Sequence, residues 1–289
     1  MIIVELKGGF GNQLFQYAAG LSLAQKHGVE IKVDTSSFIN PDDHTGTQRQ
    51  HDIFNLVDKP VEATTKELEY YSHLSKLIVY KEKLLPFYKR KIYKEESFTF
   101  DKNFFKAGSN LYLKGNRQSE QYFKPYESYI RNKFALAENA IASVKDFGQR
   151  LLNQNSVSIH IRRGDYLTSI ALEWLGLIPI CHYNECIKLI AENIPGCTLY
   201  LFSDDIEWAK ENLKIEHEHV FVSNIIAKNS MEDFYLMSCC KHNIIANSSF
   251  SWWAAWLNNN PDKIVIAPKK WFNNHTDPKD LIPESWMKI

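Results

Sequence analysis

The chain has 289 residues, 44% of them hydrophobic and 24% charged, enough for one large or two medium globular domains. Its 34 Lys and Arg balance 34 Asp and Glu, and zero net charge argues against a protein whose main work is gripping a nucleic-acid backbone. Five cysteines, an odd count without a C-x-x-C pair, argue against a disulfide framework or a zinc ribbon.

In chain order, Met1 to Leu6 reads as a strand that begins at once, without the basic and apolar regions of a secretory leader. No apolar run approaches the roughly 20 residues of a spanning helix, so the expectation is a cytoplasmic protein. Lys7-Gly8-Gly9-Phe10-Gly11-Asn12-Gln13 forms a glycine turn. A helix is expected from Leu14 to His27, with Leu14, Tyr17, Ala18, Leu21 and Ala24 on its apolar face and Gly28 as its stop. Val29 to Asp34 alternates as the next strand, completing a βαβ unit. The glycines lack the dinucleotide spacing. They either let backbone approach a ligand or serve a tight turn, and Asn12 and Gln13 either donate to a ligand or cap the helix.

Residues 35 to 56 are polar and turn-rich around Asn40 to Gly46, a cleft-lining loop or a long connection. Residues 60 to 110 are basic and aromatic, with Tyr70, Tyr71, Tyr80, Tyr88 and Tyr93 and a helix expected near 65–80. Leu111 to Gly115 is a short strand, Ser119 to Phe123 opens a helical region, and one helix is expected from Leu136 to Leu152. A domain change is placed near residue 154, giving an N-terminal domain 1–153 and a C-terminal domain 154–289. Beyond it, strands at Val157–Ile161, Thr198–Phe202, His219–Val222, Asn243–Ala246 and Lys263–Ala267 alternate with helices at Ile180–Ile194, Trp208–Leu213, Ser230–Cys240 and Trp252–Leu257. Lys263–Ala267 is read as the last strand, and Ser230 as the N-cap of its helix. This is the pattern of a doubly wound α/β domain.

Chemistry concentrates where these strands end. Val157 to Ile161 alternates apolar and polar residues, then gives way to Arg162-Arg163-Gly164-Asp165-Tyr166. Arginine's planar fork suits phosphate or carboxylate, and a strand end beside a glycine is where a parallel sheet presents ligand groups. A surface Arg–Asp pair is the plainer reading. Asn247-Ser248-Ser249-Phe250-Ser251 follows another strand and opens a helix, so its hydroxyls and free N–H groups suit an anion or simply a cap. Asp204 and Asp205 sit at a third strand end, where they could accept from a ribose or a base. No D-x-D or other ligand spacing supports a metal, and the Walker lysine is absent.

Gly8-Gly9-Phe10-Gly11-Asn12-Gln13-Leu14-Phe15-Gln16-Tyr17-Ala18 resembles the N-terminal motif of the bacterial α-1,2-fucosyltransferases, glycosyltransferase family 11. His160 to Tyr166 resembles their H-x-R-R-x-D motif. Phe202 to Asp205 and Asn247 to Trp253 are similar to two further family motifs, in family order, and the resemblance spans essentially the whole chain. Phe10 stands where many members carry Leu or Met.

The resemblance implies an α/β fold of GT-B type: two facing Rossmann-like domains, the N-terminal one on the acceptor side and the C-terminal one holding GDP-β-L-fucose. It implies transfer of fucose, with inversion and without metal or other cofactor, to the 2-hydroxyl of a terminal β-galactoside. Arg162 would stabilise charge on the departing diphosphate. Arg163 would share that role or pair with an acid, and His160 would contact the nucleotide or orient the arginine. Gly11, Asn12, Ser248, Ser249 and Phe250 would complete donor contacts, with Asp204 or Asp205 on ribose or guanine. Asp165 would be the general base or an anchor for arginine. A lipid-linked acceptor would bring the protein to the inner face of the membrane. A fucosyltransferase of another linkage or acceptor class, or a silent GDP-sugar or glycan-binding protein, are the alternative readings.

Overall fold

The computed structural model describes residues 1–38, 50–72, 82, 84–274 and 276–289. The loop expected around Asn40 to Gly46, Tyr80 and the far end of the helix near 65–80 lie outside them. The chain forms two compact units. Unit 1 is Met1–Ala135 with Asp277–Pro283, and unit 2 is Leu136–Thr276 with Glu284–Ile289. The division therefore lies ahead of residue 154, and one short C-terminal segment returns to unit 1.

Unit 1 contains β1 (Ile2–Glu5), α1 (Phe10–His27), β2 (Ile31–Asp34), α2 (Thr65–Ser72), β3 (Ile92–Lys94), β4 (Leu111–Lys114) and α3 (Glu127–Lys133). Its sheet has the order β2-β1-β4-β3, with every pairing parallel. Ile2, Ile3 and Val4 are all buried, as in strands covered on both faces. Helix α1 begins at Phe10, so Gly11, Asn12 and Gln13 belong to its first turn rather than to the turn before it. It ends as expected at Gly28, whose left-handed φ of 61° lets its N–H reach the carbonyls of Ala24 and Gln25. Strand β3 was not visible in the sequence.

Unit 2 contains α4 (Glu138–Ile141), α5 (Lys145–Leu152), β5 (Ser156–Ile161), α6 (Ser169–Trp174), α7 (Ile180–Asn193), β6 (Thr198–Ser203), α8 (Ile206–Asn212), β7 (His219–Phe221), α9 (Ser230–Cys239), β8 (His242–Ile244), α10 (Ser249–Leu257), β9 (Val265–Ala267) and β10 (Met287–Lys288). The order is β10-β9-β8-β5-β6-β7, again wholly parallel. The single helix expected over 136–152 is two, broken between Ile141 and Lys145. Strand β10, not β9, is last. The N-cap of α9 is Asn229, whose side chain accepts from the N–H groups of Met231 and Glu232; Ser230 is the first helical residue.

The alternation in β5 separates two buried faces rather than core from water. Val157, Ile159 and Ile161 join Leu199, Leu201, Tyr183, Ile187 and Ile190 in one apolar cluster. The opposite face carries Ser156, Ser158 and His160, also buried. Its serines are satisfied: Ser158 Oγ accepts from Asn243 Nδ2 at 2.7 Å, and Ser156 Oγ donates to the Leu151 carbonyl at 2.7 Å. In α10, Trp252 and Trp256 stack at 6.3 Å on one helix face. Lys263 Nζ closes that helix by donating to the carbonyls of Ala255, Trp256 and Asn258. Among the described residues, no helix is long and apolar enough to cross a membrane.

Candidate functional site

In unit 2 the chain leaves β5 toward β6 on one side and returns on the other at β8, so the sheet's switch point lies between β5 and β8. The arginine motif follows β5 and the serine-rich motif follows β8. The two strand ends are tied directly, since the Tyr166 hydroxyl donates to the Asn247 carbonyl at 2.9 Å.

Arg162 is gripped from two sides. Its Nη2 lies 2.8 Å from Asp165 Oδ1 and its Nη1 3.2 Å from Asp204 Oδ2, and its guanidinium passes over the Tyr166 ring at 5.6 Å. The side chain keeps 22% of its surface exposed. Burial alone would lower its pKa, but Asp204 and Asp165 outweigh burial and the net shift is upward. A permanent cation is thus held rigidly at a strand end with surface left for a ligand.

Arg163, in the turn after β5, has different partners. Its Nε is 3.4 Å from Asp205 Oδ2, and its guanidinium lies 3.6 Å from the centre of the Trp208 ring. Its backbone N–H donates to Asp204 Oδ1 at 2.9 Å. Asp205 is also the N-cap of α8, accepting from the Trp208 N–H. Both aspartates expected near a ribose or base are therefore engaged with the arginines.

Gly164 leaves the room this requires. A Cβ there would come within 2.6 Å of Asp204 Oδ2, an oxygen already fixed by Arg162. Gly164→Ala is expected to displace Asp204 and lower kcat by about tenfold to a hundredfold with little loss of melting temperature, as a one-ångström misplacement does. Steady-state kinetics beside a thermal melt check it, and parental kcat would refute it.

His160 shares the Arg162 side of β5 and is 4% exposed. Burial, helped by the Arg162 charge, pushes its pKa down to about 3, so the ring is neutral at working pH. Its ring meets that of Phe250 at 5.8 Å, and its Nδ1 has no hydrogen-bond partner. Phe250 in turn meets Phe234 of α9 at 5.3 Å. Ser248 is the N-cap of α10, yet its side chain makes no capping bond, and no acid occupies the helix's first turn. The first turn of the helix thus carries no carboxylate of its own. Asn247 is otherwise occupied: its Nδ2 donates to the carbonyls of Leu175 at 2.9 Å and Trp271 at 3.1 Å.

The sequence reading missed Asp233. It lies in the first turn of α9, where it reads as a dipole-favouring acid. The Ser223 hydroxyl donates to its Oδ2 at 2.9 Å and accepts from the Ser203 N–H at 3.0 Å, at the end of β6. The Ser203 hydroxyl accepts from Asp205 N–H at 2.9 Å, so a hydrogen-bonded chain joins Asp233 to the arginine motif. Asp233 Oδ1 is buried without a hydrogen-bond partner. Burial pushes its pKa up to about 7, opposed by the Ser223 bond and helped by Glu232. The folded state therefore binds the extra proton between about pH 4 and about pH 7, and stability falls as pH rises through that window. Asp233→Asn is expected to remove this fall. Melting temperatures from pH 4 to pH 8 should show the parent declining relative to the variant, and parallel curves would refute the assignment.

In unit 1 the corresponding switch point lies between β1 and β4. Gly8, at a φ of 75°, begins the glycine turn, and Gln13 Nε2 donates to its carbonyl at 3.0 Å. Gln16 Oε1 accepts from the Lys7 N–H at 2.9 Å. After β4, Gln118 Nε2 donates to Asn12 Oδ1 at 2.8 Å, joining the two strand ends and fixing the Asn12 amide. The loop carrying Gln118 is rigid: Glu95 accepts from the N–H groups of Asn116 and Arg117, and Arg117 is buried with its guanidinium 4.4 Å from the Tyr93 ring. Asn12 and Gly11 thus lie in unit 1, the other donor candidates in unit 2. Among the described residues, no group of three or more His, Cys, Asp or Glu is placed to hold a metal ion.

The chain is similar to an α-1,2-colitosyltransferase of Escherichia coli, 33% identical over 270 residues, covering 93% of this chain and 91% of that protein. It is 31% identical over 284 residues to the O-antigen biosynthesis glycosyltransferase WbnK of the same species, covering 92% and 93%. A galactoside α-(1,2)-fucosyltransferase 1 of Rattus norvegicus is 26% identical over 273 residues, covering 86% of this chain and 61% of that protein. The family model for glycosyl transferase family 11 matches residues 1–289. With its motifs at the switch points of two parallel sheets and this match over its whole length, the chain belongs to glycosyl transferase family 11.

Proposed function

We propose that this glycosyltransferase moves L-fucose from GDP-β-L-fucose to the 2-hydroxyl of a terminal β-galactoside, inverting the anomeric centre. The observation that carries the reading is Arg162, a cation held by Asp165 and Asp204 at a strand end with part of its surface free. The rat relative's name supports the fucosyl donor and the galactoside acceptor.

In this mechanism the acceptor oxygen attacks the anomeric carbon while the bond to the β-phosphate breaks, through a transition state of oxocarbenium character. Arg162 meets the charge that develops on the departing diphosphate. Arg163, stacked on Trp208, keeps Asp204 and Asp205 in place. Neutral His160 with Phe250 forms the wall beside Arg162, and Ser248 and Ser249 bring the N-terminal end of α10 to the diphosphate. In unit 1, Asn12, with Gly11 beside it in the first turn of α1, is the candidate for substrate contacts. Asp165, 2.8 Å from Arg162, serves as its anchor. The acceptor proton passes late to the departing phosphate oxygen. No metal takes part, and a lipid-linked acceptor would hold the enzyme at the inner face of the membrane.

A second reading rests on the colitosyl relative: the same site with a colitose donor in place of fucose. Incubation with GDP-fucose, with and without chelator, against lactose and type 1, 2 and 3 galactosyl disaccharides, followed by linkage analysis, tests the proposal. An α-1,2-fucosylated product unaffected by chelator is expected. Another linkage, or GDP-fucose bound without transfer, overturns it.

A further inference from the structure

The loop after β4, Gly115 to Gln118, is built around one buried cation. Gly115 has a φ of 119°, and a Cβ there would collide with Glu95. The Glu95 carboxylate accepts the N–H groups of Asn116 at 2.6 Å and Arg117 at 2.9 Å. Arg117 takes a left-handed φ of 54°, uncommon for a residue with a side chain. Its guanidinium lies 4.4, 5.5 and 5.3 Å from the ring centres of Tyr93, Phe104 and Tyr122. Nη2 donates to the carbonyls of Tyr93 at 3.0 Å and Lys114 at 3.3 Å. A buried charge and a left-handed backbone both cost free energy, and such costs persist where the surroundings fix them for a purpose. The residue they aim is the next one, Gln118.

Gln118 is buried and donates through Nε2 to Asn12 Oδ1 at 2.8 Å. The other end of the same amide lies over Gly8, where a Cβ would come within 2.8 Å of Asn12 Nδ2. Asn12 is therefore set from both ends, its oxygen by a donor and its nitrogen by a bare α-carbon. The neighbouring amides of α1 serve the chain itself. Gln13 donates to the carbonyls of Gly8 and Gln50 and accepts from the Ile53 N–H. Gln16 accepts from the Lys7 N–H and donates to the Lys7 carbonyl.

We propose that Gln118 is a positioning residue: it holds Asn12 Oδ1 so that the amide nitrogen, which carries two N–H donors, meets a hydroxyl or phosphate oxygen of the substrate. The inference builds on the reading of Asn12 as a substrate contact. A double-mutant cycle tests it, with kcat/KM measured for GDP-fucose and the best of the galactosyl acceptors, beside thermal melts that confirm folding. Gln118→Ala is expected to lower kcat/KM about tenfold and Asn12→Ala about a hundredfold. The double variant should fall no further than Asn12→Ala, because Gln118 acts only through that amide. Additive losses, about a thousandfold in the double variant, overturn the positioning role. Gln118→Glu keeps the shape, but an ionised carboxylate only accepts, so the Asn12 amide turns round to give it an N–H. It should lose at least as much activity as Gln118→Ala, and kcat/KM within about twofold of the parent overturns the proposal. Parental kcat/KM in Asn12→Ala refutes instead the reading of Asn12 as a substrate contact.

Discussion

Arg162→Ala is expected to lower kcat by about 10²–10³-fold while leaving the fold in place, the scale of losing one group aimed at developing charge. The side chain lies at a strand end, outside the apolar cluster around Val157, Ile159 and Ile161, so its removal opens no cavity there. It does leave Asp165 and Asp204 without the cation they share, and like charges brought together in a partly buried site are costly. A modest fall in melting temperature should therefore accompany the loss of turnover. Arg162→Lys keeps the charge but cannot hold two carboxylates with one ammonium. It should recover stability better than activity. Turnover of the alanine variant within tenfold of the parent, in folded protein, would refute the assignment.

Asp204→Ala should come next in severity, with kcat/KM down by roughly a hundredfold, the loss expected when a supporting group lets a catalytic one drift. Asp204 pairs with Arg162 through Oδ2 and accepts the backbone N–H of Arg163 through Oδ1, so its loss frees both the guanidinium and the turn that aims it. Asp205→Ala offers the contrast. It removes an N-cap and one partner of Arg163, but the cation remains 3.6 Å from the Trp208 ring. That variant should lose about 1 kcal/mol of stability, the ordinary value of an N-cap, and much less activity. Equal kinetic losses in the two variants would show that the aspartates act alike, against the geometry.

The strand ends were legible because the signals lie close together in the chain. The alternation before Arg162, the glycine stop of α1 and the serine cluster before α10 each occupy one short stretch. What was not legible depends on partners far apart. Asp204 looks like a free acid beside a strand, and only folding brings it to an arginine 41 residues away in the chain. Asp233 carries the signature of an ordinary first-turn acid, and its distinction comes from Ser223 and burial. The N-cap of α9 was misplaced by one residue because Asn229 and Ser230 are both good caps. Two-residue β10 and three-residue β3 are too short for any period to show.

The return of Asp277–Pro283 to unit 1 bears on how the enzyme can be taken apart. Asp280 accepts from the Phe100 N–H at 2.9 Å and from Gln121 Nε2 at 3.1 Å, and Leu281 and Ile282 are buried. The six residues after them supply β10, the edge strand of unit 2. A single cut after Ala135 would therefore leave the first fragment short of a buried piece and the second fragment carrying it without a socket. Stopping the chain at Thr276 would strip both units at once. Separate expression of the two units calls for splicing 277–283 onto the first fragment by a linker and bridging the gap in the second, rather than for choosing a cleavage point.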